Sequence, residues 1–242
     1  MRYLVVSDIH ANLAALEAVL ADAGPFDAIW CLGDVVGYGP DPNDCVVLLR
    51  QHNLLCLAGN HDWAALGKLD LNTFNADARA AVAWTQRMLD AEARVYLGSL
   101  PSLRQAGQFT LAHGSPRQPL WEYILDPLVA DLNFMHFEGL YCLVGHTHAS
   151  VIFEQDALCI GCLIRPPRYK EPVPLAGSRL IINPGSVGQP RDSDPRAAYG
   201  LLDLEAMTWE HRRVAYPIED TQSRMRQHGL PHRLVARLKY GW

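Results

Sequence analysis

An α/β fold whose second half turns strand-rich is what the residue pattern predicts, and three observations carry that expectation. The apolar runs Tyr3-Leu4-Val5-Val6, Ala28-Ile29-Trp30-Cys31-Leu32 and Leu54-Leu55-Cys56-Leu57 read as buried parallel strands, because a strand covered on both faces needs no polar alternation. Leu13, Leu16, Val19 and Leu20 recur at helical spacing between the first two runs, and Ala23-Gly24-Pro25 stops them, which makes a β-α-β unit. Beyond residue 100 or so, short strand-like segments replace this alternation, the mark of an α+β assembly.

The remaining elements follow in order. Asp41-Pro42-Asn43-Asp44 starts a helix, with Asp41 as N-cap and Pro42 in the first turn, leading into Cys45, Leu48 and Leu49. Phe74, Ala78, Ala81, Val82, Thr85, Met88 and Leu89 mark a longer amphipathic helix, which the chain leaves by Gly98-Ser99-Leu100-Pro101. Residues 102–106 and 109–112 form a hairpin about Gly107-Gln108. A helix follows over 126–137, then strands over 141–144, 150–153, 179–182, 199–203 and 208–215. The stretch 165–174, with four prolines, is a loop between strands. The tail 218–242, with five basic and two acidic residues, is expected to be helical and to present a solvated face.

At 242 residues the chain fits one domain, 1–242, with a substantial core. A net charge of −5 implies neither a nucleic-acid-binding surface nor an acidic tail. Cys31, Cys56 and Cys142 lie inside apolar runs and no secretory signal precedes Asp8, so a reduced, cytoplasmic setting is expected. The longest apolar stretches, such as 157–164, are too short to cross a bilayer. Cys159-Ile-Gly-Cys162 has no second ligand pair nearby and is read as structural.

Five short clusters stand where strands should end: Asp8-Ile9-His10, Gly33-Asp34, Gly59-Asn60-His61-Asp62, Ala112-His113-Gly114 and Gly145-His146-Thr147-His148. Sites in α/β sheets form just beyond the carboxyl ends of strands, so different strands aim these side chains at one place. The order D-x-H, G-D, G-N-H-D, H, G-H-x-H resembles that of the calcineurin-like metallophosphoesterase superfamily, from Met1 to about Tyr216. Gly33-Asp-Val-Val-Gly-Tyr-Gly-Pro-Asp-Pro-Asn43 and Asn183-Pro-Gly-Ser-Val-Gly-Gln-Pro-Arg191 look like its small bacterial and archaeal phosphodiesterase branch.

The resemblance implies a four-layer αββα sandwich, two β-sheets packed face to face with helices outside. It also implies two divalent metal ions, bridged by Asp34, with Asp8, His10 and His148 completing one site and Asn60, His113 and His146 the other. Two cations about 3.5–4 Å apart can acidify a bridging water and clamp the oxygens of an in-line displacement. Imidazole and carboxylate ligands with open positions suit Mn, the favoured ion, or Fe or Zn better than Mg. His61 is implied to face the leaving-group oxygen, where a side chain titrating near neutrality suits proton donation. Protein phosphatases of this superfamily carry an Asp-Arg pair where this chain has Gly37 and Tyr38, so the partner that orients His61 is open, with Asp62 a weak candidate. Arg191 and Arg117 could grip phosphate oxygens, and Trp121 and Tyr123 could stack on a nucleobase. For the two arginines a solvated position is the competing reading, and for the two aromatics a place in the core.

The expected activity is hydrolysis of a small nucleotide-like phosphodiester by a metal-bridging hydroxide. Rivals are a phosphomonoesterase or symmetric dinucleoside tetraphosphatase, a nuclease, and a non-catalytic interaction module.

Overall fold

The computed structural model describes residues 1–156, 161–175 and 177–242. Two six-stranded mixed sheets stack face to face. The first has the order β3(Leu54–Cys56), β2(Ala28–Cys31), β1(Arg2–Val6), β11(Ala197–Asp203), β12(Thr208–Val214), β9(Val173–Pro174). The second runs β4(Leu103–Ala106), β5(Phe109–Ala112), β6(Tyr141–Leu143), β10(Leu180–Asn183), β7(Val151–Gln155), β8(Cys162–Arg165). The three N-terminal apolar runs are parallel neighbours, with Val5 beside Trp30 and Trp30 beside Leu55.

Period-two alternation divides these strands between two cores. Val5, Trp30, Leu32, Leu143, Leu180 and Ile182 point into the space between the sheets, where Phe109, Tyr141 and Trp209 join them. Leu4, Val6, Ile29 and Cys31 point the other way, onto α1(Leu13–Asp22), α2(Pro42–Arg50) and α5(Ala91–Ser99). On the outer face of the second sheet, Cys142, Phe153 and Ile181 meet α6(Pro127–Phe134) through Ala130 and Phe134. The four-layer sandwich expected above is therefore the fold observed.

Three local expectations need correction. The long helix divides into α4(Ala76–Met88) and α5, because Leu89 leaves the helical region and the Asp90 side chain caps a new start by accepting from Ala93 N at 2.7 Å. Asp41 stands at the N-cap of α2 without capping it; its carboxylate accepts instead from Leu13 N (3.4 Å) and from Arg224 (2.8 Å). The C-terminal tail is helical but more than a solvated face. α7(Ile218–Gln227), α8(His232–Arg237) and the residues that follow each bury Met225, Leu230, Leu234, Val235 and Leu238 against Tyr38, Ala64, Phe74, Val82 and Trp84. Cys159 lies outside the described residues, and among the described residues no helix is long and apolar enough to cross a membrane.

Candidate metal centre

The loops leaving β1 and β2 are laced together by backbone bonds, Asp8 N to Gly33 O and His10 N to Asp34 O, each 3.0 Å. Asp8, His10, Asp34, His146 and His148 all have φ between +49° and +65°. Non-glycine residues held in that region cost on the order of 1–3 kcal/mol each and persist where the surroundings over-determine them. His146 and His148 consequently point in different directions. They lie past the end of β6, and the loop sends His146 toward His113 (Nδ1 to Nε2, 3.2 Å) and His148 toward His10 (Nε2 to Nε2, 3.1 Å).

Backbone carbonyls fix how three of these rings present themselves. His10 Nδ1 donates to Val36 O (3.2 Å), His113 Nδ1 to Leu32 O (2.9 Å) and His148 Nδ1 to Gln189 O (2.6 Å). In each neutral ring Nε2 then carries the lone pair and faces inward. Asp8 Oδ2 accepts from Ser7 Oγ (2.6 Å) and His146 N (3.0 Å), and Asp34 Oδ1 accepts from His61 N (2.8 Å). The other carboxylate oxygens, Asp8 Oδ1 and Asp34 Oδ2, are buried with no hydrogen-bond partner. Asp34 Oδ2 lies 3.6 Å from His10 Nε2 and 3.4 Å from His113 Nε2; Asp8 Oδ1 lies 3.2 Å from His148 Nε2. Asn60 Oδ1 is 3.2 Å from His113 Nε2.

Lone pairs and anionic oxygens that converge in a buried space repel one another unless a cation stands among them. The residues therefore fit divalent metal ions. Electrostatics agree: burial opposes ionisation of Asp8 and Asp34, but the facing histidines outweigh it and hold both below the usual carboxylate range. Burial depresses His10, pushes His146 down to about 3 and lowers His148. His113 is the exception among these rings: Asp34 overcomes its burial and raises it to about 9, so its Nε2 must release a proton before it can serve a cation as ligand.

His61 is nearly fully buried beside this cluster, with Tyr38 4.3 Å, His10 4.9 Å and Phe74 5.2 Å away between ring centroids. A Cβ at Gly37 would lie 2.6 Å from His61 Nδ1, so glycine there leaves room for the ring. Asp62 does not orient it: that carboxylate accepts from Gly59 N (2.9 Å) and Val36 N (3.0 Å), tying two site loops together. Packing, with Nδ1 unpartnered, sets the ring instead.

The four proposed substrate contacts separate. Arg191 donates to Tyr38 OH (3.4 Å) and Gln189 Oε1 (3.0 Å), and Tyr123 stacks on His146 at 4.0 Å while 45% exposed. Trp121 is half-exposed beside Phe74. Arg117 is occupied by an ion pair with Glu122, itself held by Ser115 and Asn133. Sequence reasoning missed Tyr38 and Gln189 as wall residues; the left-handed turn at Gly37-Tyr38 that places the first is seen only in the structure.

Two sheets whose strand ends deliver imidazoles and unpaired carboxylates to one buried cluster make a candidate metal centre on an αββα sandwich. Residues 1–207 match the family model for the calcineurin-like phosphoesterase superfamily domain. The chain belongs to that superfamily of phosphoesterases. It is 36% identical to an uncharacterized protein of Methanocaldococcus jannaschii, over 98% of this chain and 97% of that one. A metallophosphoesterase from Sphaerobacter thermophilus superposes with a TM-score of 0.92 at 48% identity, covering 100% of this chain and 99% of the other. A hypothetical protein from Pyrococcus horikoshii shares the fold, with a TM-score of 0.81 at 20% identity and coverage of 100% and 98%.

Proposed function

We propose that this protein is a dinuclear-metal phosphodiesterase acting on a small nucleotide-like phosphate ester. The observation that carries the reading is the position of Asp34 Oδ2, buried, unpartnered and within 3.6 Å of both His10 and His113, which belong to separate ligand groups. Asp8, His10, Asp34 and His148 would hold one ion, and Asp34, Asn60, His113 and His146 the other. When bound, such ions acidify water and offset charge on the phosphoryl oxygens.

The chain's own residues supply the rest. Arg191 faces the cluster and offers a guanidinium to a phosphoryl oxygen. His61 is assigned to the leaving-group oxygen. Burial pushes its imidazole down to about 4, against the pull of Asp34 and with Arg191 reinforcing, so the free site holds a neutral ring. An anionic substrate brings the opposing charge that favours its protonated form. Tyr123 and Trp121 at the rim suit the flat face of a base. The diester preference is supported by Gly37 and Tyr38, which leave Arg191 as the arginine that faces the cluster among the described residues; fewer fixed cations disfavour a dianionic monoester relative to a monoanionic diester.

The reading is tested by assaying bis-p-nitrophenyl phosphate and p-nitrophenyl phosphate with Mn²⁺ after chelation, alongside metal analysis of Asp34→Asn. Diester hydrolysis should return with Mn²⁺, and the variant should hold at least one metal equivalent fewer. Turnover of the monoester alone would replace the diesterase reading with a phosphomonoesterase, and full activity in verified metal-free protein would falsify the metal role.

A further inference from the structure

The arginines around the site fall into two kinds. Arg213 pairs with Asp192, Arg224 with Asp41 and Arg117 with Glu122, so each part-buried cation has a carboxylate. Arg191 and Arg237 do not. Both donate to one neutral oxygen, Gln189 Oε1, at 3.0 and 3.2 Å, and among the described residues neither has a carboxylate at ion-pair distance. Two guanidinium groups sharing an amide oxygen repel each other, and burial together with Arg191 makes the Arg237 charge harder to hold. A part-buried cation pair of this sort is relieved by an anion placed between its members.

The place of the pair says which anion. Gln189 also accepts, through its backbone carbonyl, the Nδ1 bond that fixes His148, so Arg191 stands next to the metal cluster and Arg237 one step further out. Beyond Arg237 opens a cavity of about 270 Å³ lined by Tyr38, Asn75, Asp77, Arg233 and Leu234. Asp77 is the one carboxylate on that wall, and it forms no ion pair with Arg237 among the described residues. Arg237 lies on α8, beyond the residues that match the family model, so it belongs to the C-terminal tail and not to the shared domain.

We infer that Arg237, together with Arg191, forms a subsite for a second phosphoryl group, so that the substrate is a phosphoester whose scissile phosphoryl is joined to another. This inference rests on the proposed hydrolase reading and names its substrate class. Arg191 meets the phosphoryl at the metal cluster; Arg237 meets the adjoining one; the cavity beyond receives what that phosphoryl carries.

The test is calorimetric binding of inorganic pyrophosphate and inorganic phosphate to the Mn²⁺-loaded protein, with free Mn²⁺ buffered equally in both titrations. Arg237→Met and Arg237→Lys are compared with the parent, their folding checked by circular dichroism. A charge-assisted hydrogen bond contributes about 1.5–3 kcal/mol, so Arg237→Met should weaken pyrophosphate by roughly tenfold to a hundredfold while phosphate changes little. Arg237→Lys, which keeps the charge, should recover part of the loss. Equal affinity of the parent for both anions, or equal weakening of both by Met, overturns the subsite, as does a Lys variant no better than Met. Because binding is read directly, the subsite can fail while bis-p-nitrophenyl phosphate is still cleaved, and loss of all phosphoester cleavage would count against the hydrolase reading alone.

Discussion

The His61 ring is held by packing, against two aromatic rings, a second imidazole and the bare face of Gly37, and its Nδ1 has no hydrogen-bond partner. Such a ring is free to respond to whatever anion enters. If it donates to the leaving oxygen, His61→Ala should keep both metals while losing rate by about 10²–10⁴-fold on esters with poor leaving groups. The deficit should shrink sharply for p-nitrophenyl esters, whose leaving group departs nearly unaided, provided chemistry limits the rate. Equal deficits across such a series, at unchanged metal content, would assign His61 to positioning instead. The ligand residues were legible in the sequence because Asp, Asn and His at the ends of apolar runs are out of place in a core. The roles of Tyr38, Gln189 and Arg237 were not, since they depend on a tail that docks from the far end of the chain.

At the scale of single elements, β12 carries a buried histidine with a different task. His211 Nδ1 accepts from Trp209 Nε1 (3.1 Å) while its Nε2 donates to Asn183 O (2.9 Å), so both ring nitrogens are used by one neutral tautomer. Burial lowers this group to about 4, with the Asn183 carbonyl opposing and Arg213 reinforcing. Unfolded, it titrates near 6.5, so between those values the unfolded chain binds the extra proton. The contribution of His211 should therefore be complete above about pH 6.5, decline as pH falls toward 4, and be lost below. The His211 share is on the order of 3 kcal/mol. His211→Gln can keep both hydrogen bonds without titrating, and urea midpoints measured from pH 7 to 4 should fall less steeply for it; parallel curves would reject the assignment. The strands themselves were easy to read, since burial on both faces turns β1 and β2 into unbroken apolar runs. The break between α4 and α5 was not, because apolar spacing continues across it and a single capping bond at Asp90 decides the matter. Asp41 was misread for a related reason: its partner Arg224 is 183 residues away, where no local pattern can register it.

For the whole molecule, the tail and the site are one mechanical unit. Thr221 bonds Asn12, Arg224 bonds Asp41, Arg237 bonds Gln189, and five apolar side chains of the tail cover Tyr38 and Phe74. Each such side chain contributes about 1.5–3 kcal/mol when buried, and a domain has a net stability of only about 5–15 kcal/mol. Removing residues 218–242 should therefore leave a chain that aggregates or is cut rapidly by protease near 64–84. A truncated form with an unchanged melting temperature would show that the tail is an appendage. The sheet order has a consequence for how such a chain is made. β1 finds β2 within the first 31 residues, yet its other edge pairs with β11, at 197–203. While the ribosome extends the chain between those points, Leu4, Val5 and Val6 present an unpaired apolar edge, the kind of surface on which nascent chains stick to one another. Synthesis of this protein should accordingly depend on holding that edge apart until almost the last strand has emerged, and its yield should be set by crowding on the ribosome more than by the stability of the finished fold.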